Sequence, residues 1–184
     1  SFSNDFRLSK NFTLGMLIHG GVSGKHKLID QNLSDSKGGP TRVYTTQEIV
    51  SNLSYLAENV LEPMLAVLPG GIGGYEKTWG INSGYRLKGV VPNESPTSLH
   101  CKGQAVDIGI FGADKSTKTF ETIQKIEKVV PYDQCILEYR HPSSVRIHVS
   151  CKKEGNRKQA FTMVNDRTYD RTKFVLINPI PAKS

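Results

Sequence analysis

The chain has 184 residues, of which 37% are hydrophobic and 22% are charged, a composition typical of a folded protein with a hydrophobic core. The length predicts one domain over residues 1–184, because a single core can serve a chain of up to ~250 residues, and no apolar run approaches the ~18 residues that a membrane span requires. A net charge of +7 favours anionic partners, but the basic residues are dispersed and form no recognition-helix pattern, so we expect no binding to nucleic acid.

The first part of the chain, residues 1–44, is predicted to be largely irregular. Glycine pairs and the polar segment at residues 35–40 are typical of loops, and only residues 12–18 are apolar enough for a short strand or a helical turn. The chain begins with Ser-Phe-Ser-Asn and no Met. We therefore expect a processed or excised piece of a longer protein.

Two helices are predicted. The first runs from Thr45 to about residue 65, because Thr45 can cap it with Glu48 three residues later, as in a capping box. Pro63 is expected to kink or end its last turn. The second helix covers residues 116–130, and both helices carry an apolar face at three- and four-residue spacing. In the first helix this face consists of Ile49, Leu53, Leu56, Val60 and Leu61.

The other segments rich in apolar and β-branched residues are predicted strands. They lie at residues 77–85, 104–110, 133–139 and 145–151, and residues 160–164 with 168–174 form a further hairpin. Helices and strands in this order predict the α+β class, with a central antiparallel sheet and helices packed on one side.

The three cysteines are Cys101, Cys135 and Cys151, an odd number without a Cys-x-x-Cys pair. This pattern argues against a disulfide framework. We expect three reduced, partly buried thiols, which is consistent with synthesis in a reducing cytoplasm.

Three residues in the second half of the chain form a candidate metal site. His100 and His148 can each offer an imidazole nitrogen and Asp107 a carboxylate oxygen, and three protein ligands with one open position are typical of a catalytic zinc. Gly103 argues against a helix between His100 and Asp107, so Asp107 is placed on a strand and His100 in a loop that folds back toward it. A zinc ion there would lower the pKa of a bound water to ~7 and make a nucleophile at neutral pH.

The pattern Ser-x-His-x-x-Gly-x-Ala-x-Asp at residues 98–107, followed by a strand that carries His148, resembles the zinc D-Ala-D-Ala carboxypeptidases and related phage cell-wall peptidases. The Hedgehog signalling domain shares the fold of that family. Similar stretches extend the resemblance over roughly residues 10–170, and they lie at residues 11–14, 82–86, 132–138 and 161–165. The resemblance implies a Hedgehog/D-Ala-D-Ala peptidase-like fold and a zinc ion held by His100, Asp107 and His148.

Arg86 is the first of two catalytic residues that we predict. It follows Asn82-Ser-Gly-Tyr85 and precedes the metal motif, and the resemblance implies a guanidinium that orients the substrate. Its planar fork can hold a peptide carboxylate or the scissile carbonyl oxygen.

The second catalytic residue is the general base. Many members of the family place an Asp or Glu three residues before the last zinc histidine, where this chain has Val145. Glu138 is the predicted substitute, because strand alternation gives it the parity of a residue facing His148. A hairpin loop of three or five residues centred on Ser143 would place it directly opposite that histidine, whereas a loop of four residues would not. The alternative is that Glu138 only forms an ion pair with Arg146 or Arg86.

The resemblance implies an enzyme, a zinc metallopeptidase of the D-Ala-D-Ala carboxypeptidase or peptidoglycan endopeptidase type. It would cleave a peptide bond in stem or cross-bridge peptides of bacterial peptidoglycan, by a metal-activated water with a glutamate as general base. The expected place of action is the bacterial cell wall, for a phage virion component, a lysis protein or a periplasmic enzyme. Anionic envelope polymers are candidate further partners.

The alternative is a catalytically inactive zinc-containing module of the same fold, which binds the cell wall or has a structural role in a phage. The Hedgehog domain keeps zinc while it serves recognition, and Val145 stands where the family has its acid. A third hypothesis is a nucleic-acid-binding or tail-structural protein that uses its positive charge alone. Zinc content separates this third hypothesis from the other two.

Overall fold

The computed structural model describes residues 1–18, 26–68, 70, 78–112, 115–140 and 144–170. Helices and strands alternate irregularly along the chain, which is therefore of the α+β class. The helices are α1 (Leu14–Ile18), α2 (Thr46–Leu56), α3 (Glu62–Val67) and α4 (Lys115–Val129). Within the described ranges, no helix combines the length and the apolar character needed to cross a membrane.

The strands form two sheets. They are β1 (Gln31–Ser34), β2 (Thr41–Tyr44), β3 (Trp79–Ser83), β4 (Ala105–Ile110), β5 (Gln134–Arg140), β6 (Ser144–Ser150), β7 (Gln159–Val164) and β8 (Arg167–Tyr169). β1 and β2 pair with each other, and the other strands form a six-stranded sheet of order β3-β4-β6-β5-β7-β8. Residue 77 of the predicted first strand and residues 171–174 of the predicted last hairpin lie outside the described residues.

The prediction of an antiparallel sheet is wrong at one strand pair, because β7 runs parallel to β5 and the sheet is mixed. Ser150 and Gln159 both pair with Gln134, on opposite sides of β5, so the segment between them passes the start of β5 and reverses direction. Asp133 anchors this segment, since its carboxylate accepts hydrogen bonds from the backbone nitrogen (2.8 Å) and Nη2 (2.6 Å) of Arg157. The predicted β7–β8 hairpin is confirmed for the described residues.

One face of the six-stranded sheet packs on the helices, as predicted. Alternate residues of the central strands point into a single buried cluster that also contains the apolar faces of α2 and α4. The strand residues of this cluster include Val106, Ile108, Leu137, Ile147 and Val149, and the helix residues include Ile49, Leu53, Ile123 and Ile126. Strand alternation directs the intervening residues to the opposite face, where the functional site lies.

The first predicted helix is continuous through Val67 but contains a π-helical turn at Ala57–Leu61. The side chain of Thr45 accepts a hydrogen bond from the backbone nitrogen of Glu48 at 3.1 Å, which confirms the predicted cap. Pro63 does not end the helix. It lies two residues after the π turn. A proline has no N–H to donate to the carbonyl four residues earlier, and its ring would clash with that carbonyl. The wider π turn relieves this clash.

The prediction of a largely irregular N-terminal segment is wrong for residues 31–34 and 41–44. β1 and β2 form an antiparallel hairpin around the predicted loop at residues 35–40, and Leu33 and Tyr44 are buried. Each strand has only four residues, too few for alternation to be recognised in the sequence. Residues 14–18 form the helical turn that was one of the two predicted options.

The three cysteines are free and buried, as predicted. Burial raises the pKa of the thiols of Cys101 and Cys135 to about 12 and that of Cys151 to about 11. At neutral pH these thiols are therefore protonated, the form expected of buried structural cysteines.

Gly103 provides a test of this packing. Its φ is +73°, and a Cβ added there would lie 2.7 Å from the carbonyl oxygen of Ile49. Gly103→Ala should therefore lower the free energy of unfolding by about 1–2 kcal/mol for the left-handed backbone, with about 1–3 kcal/mol more for the forced contact. Gly38 has the same φ of +73° with nothing near the added Cβ, so Gly38→Ala should show only the backbone effect. Equal losses for the two variants in denaturant titrations would contradict the close packing of Gly103 on α2.

Candidate metal centre

The structure brings the three predicted metal ligands together on the face of the sheet opposite the helices. Asp107 in β4 and His148 in β6 are direct partners across the strand pair, and His100 lies in the loop before β4. The ligand atoms of the three residues all lie within 4.8 Å of one another. A directly opposed strand pair and one loop residue thus form the group.

Both histidines face the same oxygen of Asp107. Nε2 of His100 lies 3.4 Å and Nδ1 of His148 lies 3.1 Å from Oδ1 of Asp107, and the centroids of the two imidazole rings are 5.2 Å apart. His100 is 5% and Asp107 is 1% exposed, so the group lies at the floor of a cleft. Two nitrogens and one oxygen therefore converge on one point.

The orientation of the His100 ring is set by the backbone. Nδ1 of His100 is 2.8 Å from the carbonyl oxygen of Gly84, which can only accept a hydrogen bond. Nδ1 therefore carries the proton, and Nε2 presents its lone pair to the centre of the group, as is usual for a metal-binding histidine. The loop returns toward β4 as predicted, with the positive φ of Gly103 at the turn.

Asp107 has a separate partner for each carboxylate oxygen. Nη2 of Arg86 donates to Oδ2 at 2.7 Å, which leaves Oδ1 to the histidines. Burial by itself would raise the pKa of Asp107, but the charges and hydrogen bonds of His100 and His148 outweigh it and hold the pKa well below its usual range. The carboxylate is therefore ionised, which is the form that binds metals.

These donors fit a divalent metal ion. Their geometry leaves one side of the group open to a cleft of about 460 Å³, and three ligands with one open position are the arrangement of catalytic rather than structural sites. The carbonyl of Gly84 on Nδ1 of His100 and the guanidinium of Arg86 on Oδ2 of Asp107 hold these two ligands in orientation, as hydrogen-bond partners of metal ligands commonly do. The group of His100, Asp107 and His148 can thus hold a metal ion.

Arg86 lies in the wall of this cleft, but its donors are largely engaged. Nε donates to Oγ of Ser83 at 2.9 Å and Nη1 to Oε2 of Glu94 at 2.9 Å, in addition to the bond to Asp107. The side chain is 14% exposed. The guanidinium therefore positions Asp107, and its predicted contact with substrate stays a prediction.

Glu138 faces the cleft as predicted but is not opposite His148. The strand register pairs Glu138 with Arg146 and Ile136 with His148, so the prediction of direct opposition is wrong by two residues. Arg140 pairs with Ser144, which centres the hairpin on residue 142 rather than on Ser143; residues 141–143 themselves lie outside the described part of the chain. Strand parity is unaffected, because a shift of two residues keeps the same face.

The carboxylate of Glu138 pairs with a neighbouring arginine. Oε2 of Glu138 accepts a hydrogen bond from Nε of Arg146 at 2.7 Å, and Glu138 is 8% exposed. This ion pair is the alternative that the sequence left open, although it lies within the cleft rather than on an exposed surface. The carboxylate remains a member of the cleft lining together with Asp107 and His148.

Val145 lies on the other side of the sheet. It pairs with Tyr139 and packs against the hydrophobic core, as do Ile147 and Val149 of the same strand. A residue three positions before His148 therefore points away from the cleft. A carboxylate at position 145 could not reach the metal group in this strand.

Sequence analysis missed two residues that support the site. Glu94, whose side chain is 7% exposed, accepts hydrogen bonds from Nη1 of Arg86 and Oγ of Ser98. Gln31 donates from Nε2 to the hydroxyl of Tyr85 and to the carbonyl of Arg86. Neither residue has a sequence signal, since Glu94 lies in an irregular loop and Gln31 in a four-residue strand.

The ligand assignment predicts a selective loss of metal. Protein purified with zinc should hold about one ion per chain, and His148→Ala should lose it while the circular dichroism spectrum is unchanged, because the core lies on the other face of the sheet. His26→Ala is the matched control, since His26 is also buried but lies outside the ligand group. Full zinc content in the His148 variant, measured by elemental analysis, would overturn the assignment.

The role of Arg86 predicts an effect on metal affinity. Arg86→Lys keeps the charge but cannot bridge Glu94 and Asp107 at once, so zinc binding should weaken roughly 10–100-fold, the usual cost of losing an outer-shell partner. Arg7→Lys is the control, because Arg7 is exposed and its side chain donates a local hydrogen bond to the carbonyl of Lys10. Unchanged zinc affinity in Arg86→Lys, measured by competition with a chelator, would contradict the positioning role.

Comparisons of the chain with protein-family models, with curated proteins and with solved structures found no match. The resemblance drawn from the sequence motif therefore stays a prediction. The geometry of His100, Asp107 and His148 is the independent observation on which a functional conclusion can be built.

Proposed function

We propose that this chain is a zinc-dependent peptidase of the Hedgehog/D-Ala-D-Ala peptidase-like fold that cleaves a peptide bond in bacterial peptidoglycan. The observation that carries the proposal is the convergence of His100, Asp107 and His148 at the floor of an open cleft. Two imidazoles with one carboxylate favour zinc over magnesium or calcium, which prefer oxygen ligands alone. An inward-facing carboxylate, Glu138, lines the same cleft.

The zinc ion, when bound, supplies Lewis-acid chemistry, because it lowers the pKa of water toward ~7 and polarises a carbonyl group. The protein orients the donors for this chemistry. The carbonyl of Gly84 fixes the tautomer of His100, and Arg86 holds the second oxygen of Asp107. Since these groups are buried, they need little rearrangement when the reaction occurs.

Glu138 is the proposed general base. Its Oε2 is held by Arg146, whereas Oε1 accepts no hydrogen bond from any residue that the structure describes and can take the proton of the attacking water. Glu138 is two residues along β5 from the partner of His148, which is roughly 7 Å of strand. A glutamate side chain and one bridging water can together span that offset, and action through one water is within the reach of a general base. The same carboxyl can then pass the proton to the leaving amine.

The lining of the cleft supports a polar peptide as the substrate. Charged and hydroxyl side chains predominate among the described lining residues, and Leu99 is the one aliphatic side chain among them. Stem and cross-bridge peptides of peptidoglycan have this polar character. The proposed place of action is the bacterial cell wall, where the net charge of +7 would also attract anionic envelope polymers.

A second candidate function is a zinc-containing cell-wall binding module without turnover. The ion pair between Glu138 and Arg146 at 2.7 Å favours it, because this pair already engages one oxygen of the carboxylate that would have to accept the proton. Binding to intact cell wall, without hydrolysis of any muropeptide by the zinc-loaded parent protein, would establish this function instead.

The proposed base gives a sharp prediction. Glu138→Gln should keep its zinc and lower muropeptide hydrolysis by ~10²–10⁴-fold, the usual contribution of a positioned acid-base group. Glu138→Asp should recover part of this loss, since a shorter carboxylate can act through a water. Glu154→Gln is the control, because Glu154 is exposed on the loop after β6. Hydrolysis at the parental rate by Glu138→Gln, followed by mass spectrometry of a muropeptide digest, would show that the base lies elsewhere.

A further inference from the structure

The segment between β6 and β7 is rich in basic side chains. Residues 152–158 contain four cations and one carboxylate, that of Glu154. The cations belong to Lys152, Lys153, Arg157 and Lys158, and we call this segment the basic ridge. Every charged residue of the ridge except Lys152 is exposed. The ridge therefore carries an excess of three positive charges at the surface.

Contacts with neighbouring elements fix three of these cations. Nη2 of Arg157 donates to Oδ2 of Asp133 at 2.6 Å, and Nζ of Lys152 lies 3.6 Å from Oδ1 of the same buried carboxylate. Nζ of Lys158 lies 5.2 Å from the centroid of the Tyr132 ring. Because these side chains are already ordered, a ligand that binds them meets a smaller entropic cost than it would at freely moving lysines.

The basic ridge passes around the end of the sheet, from the helical layer to the metal cleft. On the helical side, Nζ of Lys153 donates to Oγ of Ser51 in α2, and on the other side Arg157 lines the cleft. The turn between them is closed by Asn156, which bonds to both the backbone nitrogen and the carbonyl oxygen of Lys152 at 2.8 Å. A chain bound along the ridge would therefore lead to the mouth of the cleft.

Much of this positive charge is available to a ligand. The carboxylate of Asp133 is shared by Lys152 and Arg157, so it compensates only one of their two charges. Among the residues that the structure describes, neither Lys153 nor Lys158 forms an ion pair with a carboxylate. The side chain of Arg157 is also 48% exposed. Fixed and exposed cations attract polyanions, and lysine and arginine both bind phosphate groups.

The surroundings of the ridge favour a polyanion without bases. Single-stranded nucleic acids are held by aromatic rings on which the bases stack, but the ring that contacts the ridge, Tyr132, already has Lys158 over its face. Double-stranded DNA is commonly read by a helix in the major groove, whereas residues 152–158 form an irregular connection between two strands. A flexible chain of phosphate groups separated by small polyols can follow this connection without stacking.

We propose that the basic ridge binds a polyol-phosphate polymer of the bacterial cell wall and thereby holds the wall against the cleft. The inference rests on the proposed function, because that function places the protein at the cell wall. The exposed cations of the ridge pair with successive phosphates of the polymer. The ridge thus adds affinity for the wall without any contact between the polymer and the metal group.

Binding of a free polymer tests the inference on the zinc-loaded parent protein. Fluorescence anisotropy compares three labelled chains, which are a glycerol-phosphate oligomer, an oligothymidylate with the same number of phosphates and a neutral polyglycerol. The glycerol-phosphate oligomer should bind most tightly, because its phosphates can reach the ridge and no bases have to be immobilised. Equal or tighter binding of the oligothymidylate would overturn the proposal in favour of nucleic acid. Equal binding of the neutral chain would also overturn it.

A double variant assigns the binding to the ridge. Lys153→Gln combined with Lys158→Gln removes two exposed cations that do not line the cleft. The slope of log affinity against log salt concentration should become shallower by roughly 1.4, since each phosphate contact with a single-stranded polyanion contributes about 0.7. Lys37→Gln combined with Lys118→Gln is the matched control, with the same change in charge at exposed positions in the β1–β2 loop and in α4. An unchanged slope in the ridge variant would overturn the assignment.

Two outcomes separate this inference from the proposed function. If the zinc-loaded parent hydrolyses muropeptides but does not bind the glycerol-phosphate oligomer, the inference is wrong and the peptidase function stands. If the parent binds the oligomer through the ridge but hydrolyses no muropeptide, the ridge stands and the peptidase function is wrong. The ridge variant should hydrolyse muropeptides at the parental rate, because muropeptides carry no polymer. A lower rate would contradict the separation of the ridge from the metal centre.

Discussion

The buried carboxylate of Asp107 is the group on which the rest of the site depends. At 1% exposure an unpaired negative charge would be strongly unfavourable, because burial removes its hydration. The fold compensates it on both sides, with Arg86 on Oδ2 and the two histidines on Oδ1. Because Arg86 holds Oδ2, Oδ1 of Asp107 faces the two histidines. The same interaction therefore stabilises the negative charge and orients the carboxylate for a metal ion.

Support for this interaction comes from the short N-terminal hairpin of β1 and β2. Gln31, in the short β1–β2 hairpin, donates to the carbonyls of Arg86 and Cys101 and accepts from the backbone nitrogen of Lys88. The buried ammonium of Lys102 donates to the carbonyl of Ser34 at 2.8 Å. These bonds tie the hairpin to the segments that carry Arg86 and His100. The N-terminal hairpin is therefore part of the framework that positions the metal group.

The two arginines of the cleft differ in what they can do, although both contact the carboxylate of Asp107. Arg86 bridges Asp107 and Glu94 and has a largely buried side chain, so its role is to hold protein groups in place. Arg146 donates to the carboxylate of Glu138 through Nε alone. Its two terminal nitrogens donate no hydrogen bond to any residue that the structure describes.

Local patterns in the sequence were sufficient for several features of the site. The spacing of His100, Gly103 and Asp107 predicted a loop that folds back on a strand, because this depends only on neighbouring residues. Strand alternation placed Glu138 on the face of His148 once an odd number of residues was assumed for the hairpin loop. The tertiary structure decided which residues meet across strands. Loop geometry and long-range packing set three features of the structure. These are the register that places Glu138 opposite Arg146, the parallel pairing of β7 with β5, and the contacts of Gln31 and Glu94. A shift of the β5–β6 register by two residues leaves the alternation of both strands unchanged, and so does the pairing of β7 with either edge of β5. The sequence pattern alone therefore cannot distinguish these arrangements.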